Sequence, residues 1–230
     1  MKRGKKYQNI AKAAPKKPVS VEEAVKFVKA HPAAKFDETV EVSMHLGVNL
    51  LKTDTPVRGT VKLPAGSGKT VKVAVFAGGE HADEAKAAGA DYVGLDDLIE
   101  KITKEGWCDF DVAIATVEAM KEVRKCARIL GPRGLMPNPK TGTVTDDTAT
   151  AVKEAKGGKV DFRMDKTGNM AVVAGKRSFD EAALVGNIKA VLAAVQAAKP
   201  ATVKGVFIKS MSISSTMGVG VPVIVASDAE

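Results

Sequence analysis

The sequence has few of the side chains that most enzymes and metalloproteins need. Only two cysteines and three histidines occur in 230 residues, and aromatic residues make up 4% of the chain. His31, His45 and His81 are far apart in the sequence, and neither cysteine has a Cys or His at metal-ligand spacing. We therefore expect no metal, no cofactor and no catalytic set. We predict that Cys108 and Cys126 are unpaired, buried thiols in a reducing compartment rather than a disulfide.

Long apolar runs are also missing. No stretch approaches the eighteen residues of a membrane helix, and the N-terminus has no apolar core of the signal-peptide type. We expect a cytoplasmic protein without a membrane partner. A chain of this length buries on the order of 70% of its unfolded surface, which suffices for one large domain or two modest ones.

Acidic residues are absent from the first twenty positions, here called the basic arm, where seven lysines and arginines occur. The net charge of +8 is therefore uneven: +7 in residues 1–20, 0 in 21–67, −1 in 68–159 and +2 in 160–230. Such an arm is typical of proteins that bind a polyanion, and a solvated disordered tail is the alternative. Because the remainder is nearly neutral, a specific site there must depend on shape and on individually placed groups.

The apolar pattern predicts an α/β protein with two domains. Residues 68–158 alternate buried-type strands (71–77, 90–93, 111–115) with helices (81–88, 95–105), which indicates an inserted Rossmann-like α/β domain with a parallel sheet. Residues 1–67 and 159–230 show the two-residue alternation of antiparallel strands, which indicates a discontinuous α+β split domain with a mainly antiparallel sheet. The two glycine-rich crossings, 64–68 and 157–158, predict a hinge.

Local signals place the elements of the split domain. Capping boxes at Ser20–Glu23 and Ser178–Glu181 predict the starts of two helices. Alternating segments predict strands at 39–46, 58–63, 160–164, 169–174, 206–215 and 221–225. A turn at 165–168 is expected to join the third and fourth of these strands as a hairpin.

Two glycine-rich segments resemble nucleotide-binding motifs without completing them. Residues 66–70 read GSGKT, but Leu63 occupies the position of the first glycine, and Thr70 runs into a strand instead of opening a helix that could hold phosphate. Gly78 and Gly79 follow a strand without the third glycine of a dinucleotide fingerprint. A small-molecule or nucleotide-binding α/β enzyme is therefore kept only as the alternative function.

Groups suited to RNA occur at two strand ends. The solvated face of strand 39–46 carries Thr39 and Glu41 beside Lys35 and Phe36, and the segment 214–218 reads SSTMG. Short hydroxyls, an aromatic ring, a thioether and a glycine suit recognition through stacking and 2′-hydroxyl contacts. An ordinary exposed sheet face with a glycine-terminated strand is the alternative.

One loop has an unusual composition. Residues 131–144 read GPRGLMPNPKTGTV, with three glycines, three prolines and two cations, and such a segment cannot continue a helix. Arg128, Arg133 and Lys140 offer cations on or just before this loop. A long surface connection with solvated charges explains the same composition equally well.

Five separated blocks of the sequence together carry a family resemblance. They are FDETVEV at 36–42, VRGT at 57–60, GADYVG at 89–94, GPRGLMPNPK at 131–140 and STMG at 215–218. Together they closely resemble the L1 family of large-subunit ribosomal proteins, and the bacterial form fits best. The resemblance runs from the basic arm to about residue 225.

The resemblance implies a non-enzymatic protein that is monomeric when free. The implied partners are an rRNA stalk of the large subunit, deacylated tRNA in the exit site, and the protein's own operon mRNA, whose translation it represses. Carried over motif by motif, the implied rRNA and mRNA contacts are Lys35, Phe36, Thr39, Glu41, Asp165, Lys166, Thr167, Ser210, Thr216, Met217 and Gly218. A tRNA or interdomain contact is expected from Arg128, Arg133 and Lys140.

Overall fold

The computed structural model describes residues 4–48, 57–201, 203 and 205–225. In chain order these residues form α1 (Lys5–Ala13), α2 (Val21–Ala30), β1 (Thr39–Leu46), β2 (Arg58–Lys62), β3 (Val73–Phe76), α3 (Glu80–Ala87), β4 (Tyr92–Gly94), α4 (Asp96–Glu105), β5 (Val112–Ala115), α5 (Met120–Val123), α6 (Ala127–Leu130), α7 (Thr148–Lys156), β6 (Lys159–Arg163), β7 (Asn169–Lys176), α8 (Glu181–Ala197), β8 (Ile208–Ser215) and β9 (Val221–Val223). Two 3₁₀ turns, Arg124–Cys126 and Pro139–Thr141, complete the list. None of the described helices has the length and apolar character needed to cross a membrane.

The chain divides into two compact units, residues 1–68 with 160–230 (the split unit) and residues 69–159 (the insert). In the split unit an antiparallel sheet has the strand order β7-β1-β8-β9. Strand β1 alternates as predicted, and Val40, Val42, Met44 and Leu46 are buried on one face. That face packs into one core with apolar side chains of α2 and α8. The other face of the sheet remains available to solvent.

Helix α2 begins at the first predicted capping box. The Ser20 hydroxyl accepts the Glu23 backbone N–H at 3.2 Å, and the Glu23 carboxylate accepts the Ser20 N–H at 3.4 Å. The second predicted capping box is wrong, because the Ser178 hydroxyl donates to Asp37 at 2.7 Å and helix α8 starts after Asp180. A tertiary partner has taken the hydroxyl that would have capped the helix.

The predicted hairpin around 165–168 is also wrong. Strand β6 pairs with β2 in a separate two-stranded sheet, whereas β7 pairs with β1. The tight turn between them does form, and the Asp165 N–H donates to the Asn169 carbonyl at 2.8 Å. The sequence also gave no indication of α1, a helix within the basic arm that buries none of its residues.

The insert has a three-stranded parallel sheet in the order β4-β3-β5. One core cluster lies against α4 and the Met120–Leu130 segment, and the other lies against α3 and α7, so helices cover both faces. Thr70 leads into β3 and not into a helix, as the sequence predicted. Cys108 and Cys126 are both free; Cys126 is buried, but Cys108 is only half-buried in the connection between α4 and β5, contrary to the prediction.

Candidate nucleic-acid interface

The open face of the split unit's sheet carries a double row of short polar side chains. Glu41, Ser43 and His45 of β1 lie on this face, and all three are half-buried. Antiparallel pairing places residues of β8 directly opposite them, so that Ser214, Ser212 and Ser210 complete the second row. We call these six residues the hydroxyl face. With Thr39, which precedes it on the same side of β1, the face extends about 20 Å to His45 at the usual rise of a strand.

Glu41 is the only acid in these rows. Within the described residues its carboxylate has no hydrogen-bond or ion-pair partner. A half-buried carboxylate with free lone pairs can accept from a base amine or a ribose hydroxyl. Its neighbours across the sheet are Val173 and Ser214, and neither is a cation that could form an ion pair with the carboxylate.

The first end of the hydroxyl face joins the start of β1 to the turn after β8. The Thr39 N–H donates to the Thr216 hydroxyl at 3.0 Å, and the Thr216 N–H donates to the Thr39 carbonyl at 3.0 Å. The Lys176 ammonium donates to the Thr39 hydroxyl at 3.0 Å. Beside this pairing, the side chains of Phe36 and Met217 are 55% and 58% exposed. Two large apolar side chains are therefore presented to solvent beside fixed hydroxyl groups.

A buried carboxylate holds this end together. Glu38 is fully buried, and its oxygens accept the Ala33 N–H at 3.1 Å, the Met217 N–H at 3.2 Å and the Ser215 hydroxyl at 3.3 Å. The Arg177 Nε lies 3.9 Å away. These bonds connect the segment before β1 to the turn after β8, so Glu38 sets the position of Met217 without reaching the surface.

Gly218 completes the turn for a steric reason. Its N–H donates to the Ser215 carbonyl at 3.0 Å, and a Cβ built on Gly218 would overlap the Ser215 hydroxyl. That hydroxyl is the one that Glu38 accepts. A side chain at this position would therefore disturb the bond that locates the turn.

The second end of the hydroxyl face is the turn between β6 and β7. Asp165 accepts the backbone N–H groups of Thr167 at 2.8 Å and Asn169 at 2.7 Å, as well as the Thr167 hydroxyl. The Asn169 backbone bond, followed by the Thr167 hydroxyl, holds the pKa of the Asp165 carboxyl below its usual range. The Asn169 side chain bonds both to the Thr167 hydroxyl and to His45 Nδ1, each at 2.8 Å. A hydrogen-bonded chain thus runs from the turn to the hydroxyl face.

A depression of about 540 Å³ lies at this second end. Its polar lining includes Ser43, His45, Arg163, Asp165, Asn169, Ser210 and Ser212. It therefore reaches from the turn toward the middle of the hydroxyl face. Lys166 and Thr167 follow Asp165 in the turn and are exposed, so the Lys166 ammonium is available to phosphate.

The structure thus gathers the eleven predicted RNA-contact residues into two groups at opposite ends of one face. Lys35, Phe36, Thr39, Glu41, Thr216, Met217 and Gly218 lie at or near the first end, and Asp165, Lys166, Thr167 and Ser210 lie at the second. Sequence reasoning did not assign Ser43, His45, Ser212, Asn169 or Glu38 to the site. The alternation of β1 already placed the first two on the solvated face, whereas nothing local distinguished Glu38.

The three predicted insert residues lie elsewhere. Arg128 is exposed on α6, Arg133 is exposed on the turn 131–134, and the backbone of Lys140 lies in the 3₁₀ turn Pro139–Thr141. The side chain of Lys140 is outside the described part of the structure. Their contact with tRNA or with the other unit remains a prediction.

No cluster of three His, Cys, Asp or Glu side chains able to hold a metal ion is found in the described residues.

Comparison with known proteins identifies the family to which the chain belongs. Residues 28–219 match the model of the Ribosomal protein L1p/L10e family. The chain belongs to this family. The family resemblance noted from the sequence is therefore confirmed, and so is the mixed α/β fold class.

Curated relatives extend the match to nearly the full length. The chain is 55% identical over 223 residues to large ribosomal subunit protein uL1 of Streptococcus agalactiae serotype III (strain NEM316), covering 95% of this chain and 97% of the relative. It is 52% identical over 224 residues to uL1 of Aster yellows witches'-broom phytoplasma (strain AYWB), covering 97% of each. These L1-family relatives are ribosomal proteins and not enzymes, so the alternative of an α/β enzyme is set aside.

Proposed function

We propose that this L1-family chain is a structural component of the large ribosomal subunit and binds the rRNA of the exit-site stalk through the hydroxyl face and its two ends. The observation that carries the proposal is the arrangement itself. Together with Thr39, the face forms a strip about 20 Å long that presents hydroxyls and one carboxylate without a partner among the described residues, with the exposed side chains of Phe36 and Met217 at one end. Such groups suit RNA, which is recognised mainly by shape, stacking and 2′-hydroxyl contacts.

The basic arm supplies the general attraction to phosphate. Its last residues are tied to the sheet edge, because the Val19 N–H donates to Pro222 at 3.1 Å and the Val19 carbonyl accepts from Ile224 at 2.9 Å. Lysines on α1 and after it are therefore tethered to the unit that carries the hydroxyl face. Since phosphate contacts release counterions, the arm should account for much of the salt dependence of binding.

Two finer roles belong to the same proposal. The same surface binds a similar element in the protein's own operon mRNA and thereby represses its translation, and deacylated tRNA contacts the insert through Arg128, Arg133 and Lys140. One surface cannot hold rRNA and mRNA at once. Repression would therefore follow when the chain is made in excess over rRNA, without a separate regulatory site.

A charge-matched pair of variants tests the main proposal. Glu41→Gln and Glu22→Gln each remove one negative charge from an exposed or half-buried carboxylate of the split unit. If only bulk charge matters, both variants bind stalk rRNA slightly more tightly than the wild type. If Glu41 accepts from RNA, Glu41→Gln weakens binding while Glu22→Gln does not. Equal effects in fluorescence anisotropy titrations would remove the hydroxyl face from the site.

The arm and the repressor role have separate readouts. Deleting residues 1–12 should reduce the slope of log K against log salt by roughly 0.7–0.9 for each lost phosphate contact, while leaving discrimination between stalk and random RNA intact. Loss of binding to both RNAs alike would favour a generic polyanion binder.

Unlabelled operon leader RNA should displace labelled stalk rRNA competitively, and failure to displace it would refute the shared site.

A further inference from the structure

The insert has a polarised charge distribution that its net charge of −1 over residues 68–159 conceals. The helical segment Met120–Leu130, made of α5, a 3₁₀ turn and α6, buries Val123, Cys126 and Leu130 in the core. On its other side Lys121, Arg124 and Arg128 are exposed. Lys121, Arg124 and Arg128 follow one another at three- and four-residue spacing along a segment in which a 3₁₀ turn joins two four-residue α-helices. The three cations therefore form a row along the exposed side of the segment.

A fourth cation continues the row beyond the helix. Arg133 is exposed in the turn 131–134, which directly follows α6. No acid of the described residues forms an ion pair with Lys121, Arg124, Arg128 or Arg133, whereas the nearby Lys125 is paired with Glu122. We call these four unpaired residues the insert cationic face.

The turn that carries Arg133 is fixed by its own backbone bonds. The Leu135 N–H donates to the Leu130 carbonyl and the Gly134 N–H to the Gly131 carbonyl, both at 3.0 Å. Gly134 has a φ of +72°, a conformation that favours glycine. Leu135 and Met136 pack against the core cluster of the insert. The turn is therefore ordered before a ligand binds, and binding to Arg133 costs little backbone entropy.

Stability alone does not account for this row. Like charges three and four residues apart destabilise a helix, and a favourable interaction with the helix dipole is restricted to the last turn. That leaves Lys121 and Arg124, near the start of the segment, without a stabilising role. Unpaired arginines on a fixed surface are suited to phosphate, which their planar groups can bind through two parallel hydrogen bonds.

We propose that the insert cationic face binds the phosphate backbone of an RNA, independently of the bases. The inference deepens the proposed tRNA contact, on which it rests for the identity of the partner, by adding Lys121 and Arg124 to Arg128 and Arg133 and by naming phosphate as the group bound. A nearly neutral unit thus carries its own RNA contact, separate from the hydroxyl face.

The test uses the full chain and two variants of equal charge. The first variant carries Lys121→Gln, Arg124→Gln, Arg128→Gln and Arg133→Gln. The control carries four exposed lysines of the same unit replaced by glutamine: Lys86→Gln, Lys101→Gln, Lys104→Gln and Lys153→Gln. Trp107, the only tryptophan, lies in the insert and reports whether that unit is folded in both variants. Binding of deacylated tRNA, a stalk rRNA fragment and polyglutamate is measured over a range of salt concentrations.

The first variant should bind tRNA at least tenfold more weakly, with a salt slope lower by about 3 for four lost contacts, while the control keeps the wild-type slope. Equal losses in both variants, or no loss in the first, would overturn the proposal. If the wild type binds polyglutamate as tightly as tRNA and the first variant loses that binding, the face would be assigned to an acidic protein instead. Unchanged stalk rRNA binding in both variants leaves the proposed function standing, whereas absent stalk binding by the wild type would refute that function separately.

Discussion

Replacing Glu38 by glutamine removes one charge from the buried end of the split unit while nearly preserving side-chain volume. The carboxylate accepts three hydrogen bonds, from the Ala33 and Met217 N–H groups and from the Ser215 hydroxyl. A glutamine side chain has only one oxygen, and its amide nitrogen is a donor. Whichever way the amide is oriented, its nitrogen faces at least one backbone N–H. The substitution therefore leaves a buried donor without an acceptor.

The less costly orientation keeps the bonds to Ser215 and Met217 and leaves the Ala33 N–H unpaired. An orphaned buried donor costs about 1–3 kcal/mol. Arg177 loses its negative neighbour as well, because its Nε lies 3.9 Å from the carboxylate and that nitrogen has no hydrogen-bond partner among the described residues. The full 3–5 kcal/mol of a broken buried pair does not apply, because this separation is long and Arg177 is partly exposed. We expect the split unit to be destabilised by about 2–4 kcal/mol in total.

Hydrogen exchange by mass spectrometry measures this effect where it occurs. Peptides that cover residues 208–223 should exchange faster in Glu38→Gln, because β8 and the following turn lose their link to the segment before β1. The unfolding midpoint followed by Trp107 fluorescence should not change, since that residue lies in the insert. Under conditions in which the variant is folded, stalk rRNA binding should also weaken, because Met217 is no longer held in place.

Glu41→Gln is the matched control for stability. It removes the same charge three residues along, from a carboxylate that makes no internal hydrogen bond in the described structure. Glu41→Gln should change the free energy of exchange measured for residues 208–223 by less than about 0.5 kcal/mol, as expected for a surface substitution. If Glu38→Gln is equally mild, the view that the buried carboxylate organises this end of the interface is wrong.

Three further substitutions or titrations test other parts of the face. Thr216→Val should weaken stalk rRNA binding by about 1–3 kcal/mol because the polar RNA group bound by the hydroxyl would be left unpaired in the interface; Thr216→Ser should restore it, and normal affinity in the valine variant would exclude Thr216 from the site. Gly218→Ala should weaken binding at least tenfold because its Cβ overlaps a buried serine hydroxyl, whereas Gly220→Ala, with no atom closer than 3.8 Å to the new Cβ, should bind normally. The Asp165 carboxyl should titrate below the ordinary value of about 3.9 in an NMR experiment. Because its folded pKa is lowered, the turn is stabilised above the unfolded pKa and loses this support as pH falls through the folded pKa. The Asn169 amide should then exchange faster, and a midpoint at or above 3.9 would contradict the bonding seen in the turn.

Features that depend on local spacing were predictable from the sequence. The alternation of β1 assigned each side chain from Thr39 to Leu46 to the correct face, because the side-chain period of a strand is two. The Ser20–Glu23 capping box located the start of α2 for a similar reason, since both partners lie within one turn. The parallel sheet of the insert followed from the regular exchange of strands and helices.

Features decided by distant partners were not predictable. Strands β6 and β7 read as a hairpin because their turn is tight, but hydrogen bonds to β2 and β1 separate them into two sheets. Ser178 is followed by Glu181 at capping-box spacing, yet Asp37, 141 residues earlier, binds the serine. Glu38 lies among polar residues that suggest solvent. Its burial becomes favourable only when donors from 33, 215 and 217 converge on it.

Contacts between residues that are distant in the sequence also explain how a nearly neutral face can be specific. Phosphate attraction from the basic arm acts on any RNA and declines as salt is added, so it cannot by itself select a partner. The hydroxyl face contributes few charges, and its selectivity depends on groups held at fixed positions. A buried carboxylate is a poor source of net stability, but it fixes the turn that carries Thr216, Met217 and Gly218 through three directional bonds. High salt should therefore lower affinity for all RNAs while the preference for stalk rRNA persists, and loss of Glu38 should reduce that preference at every salt concentration.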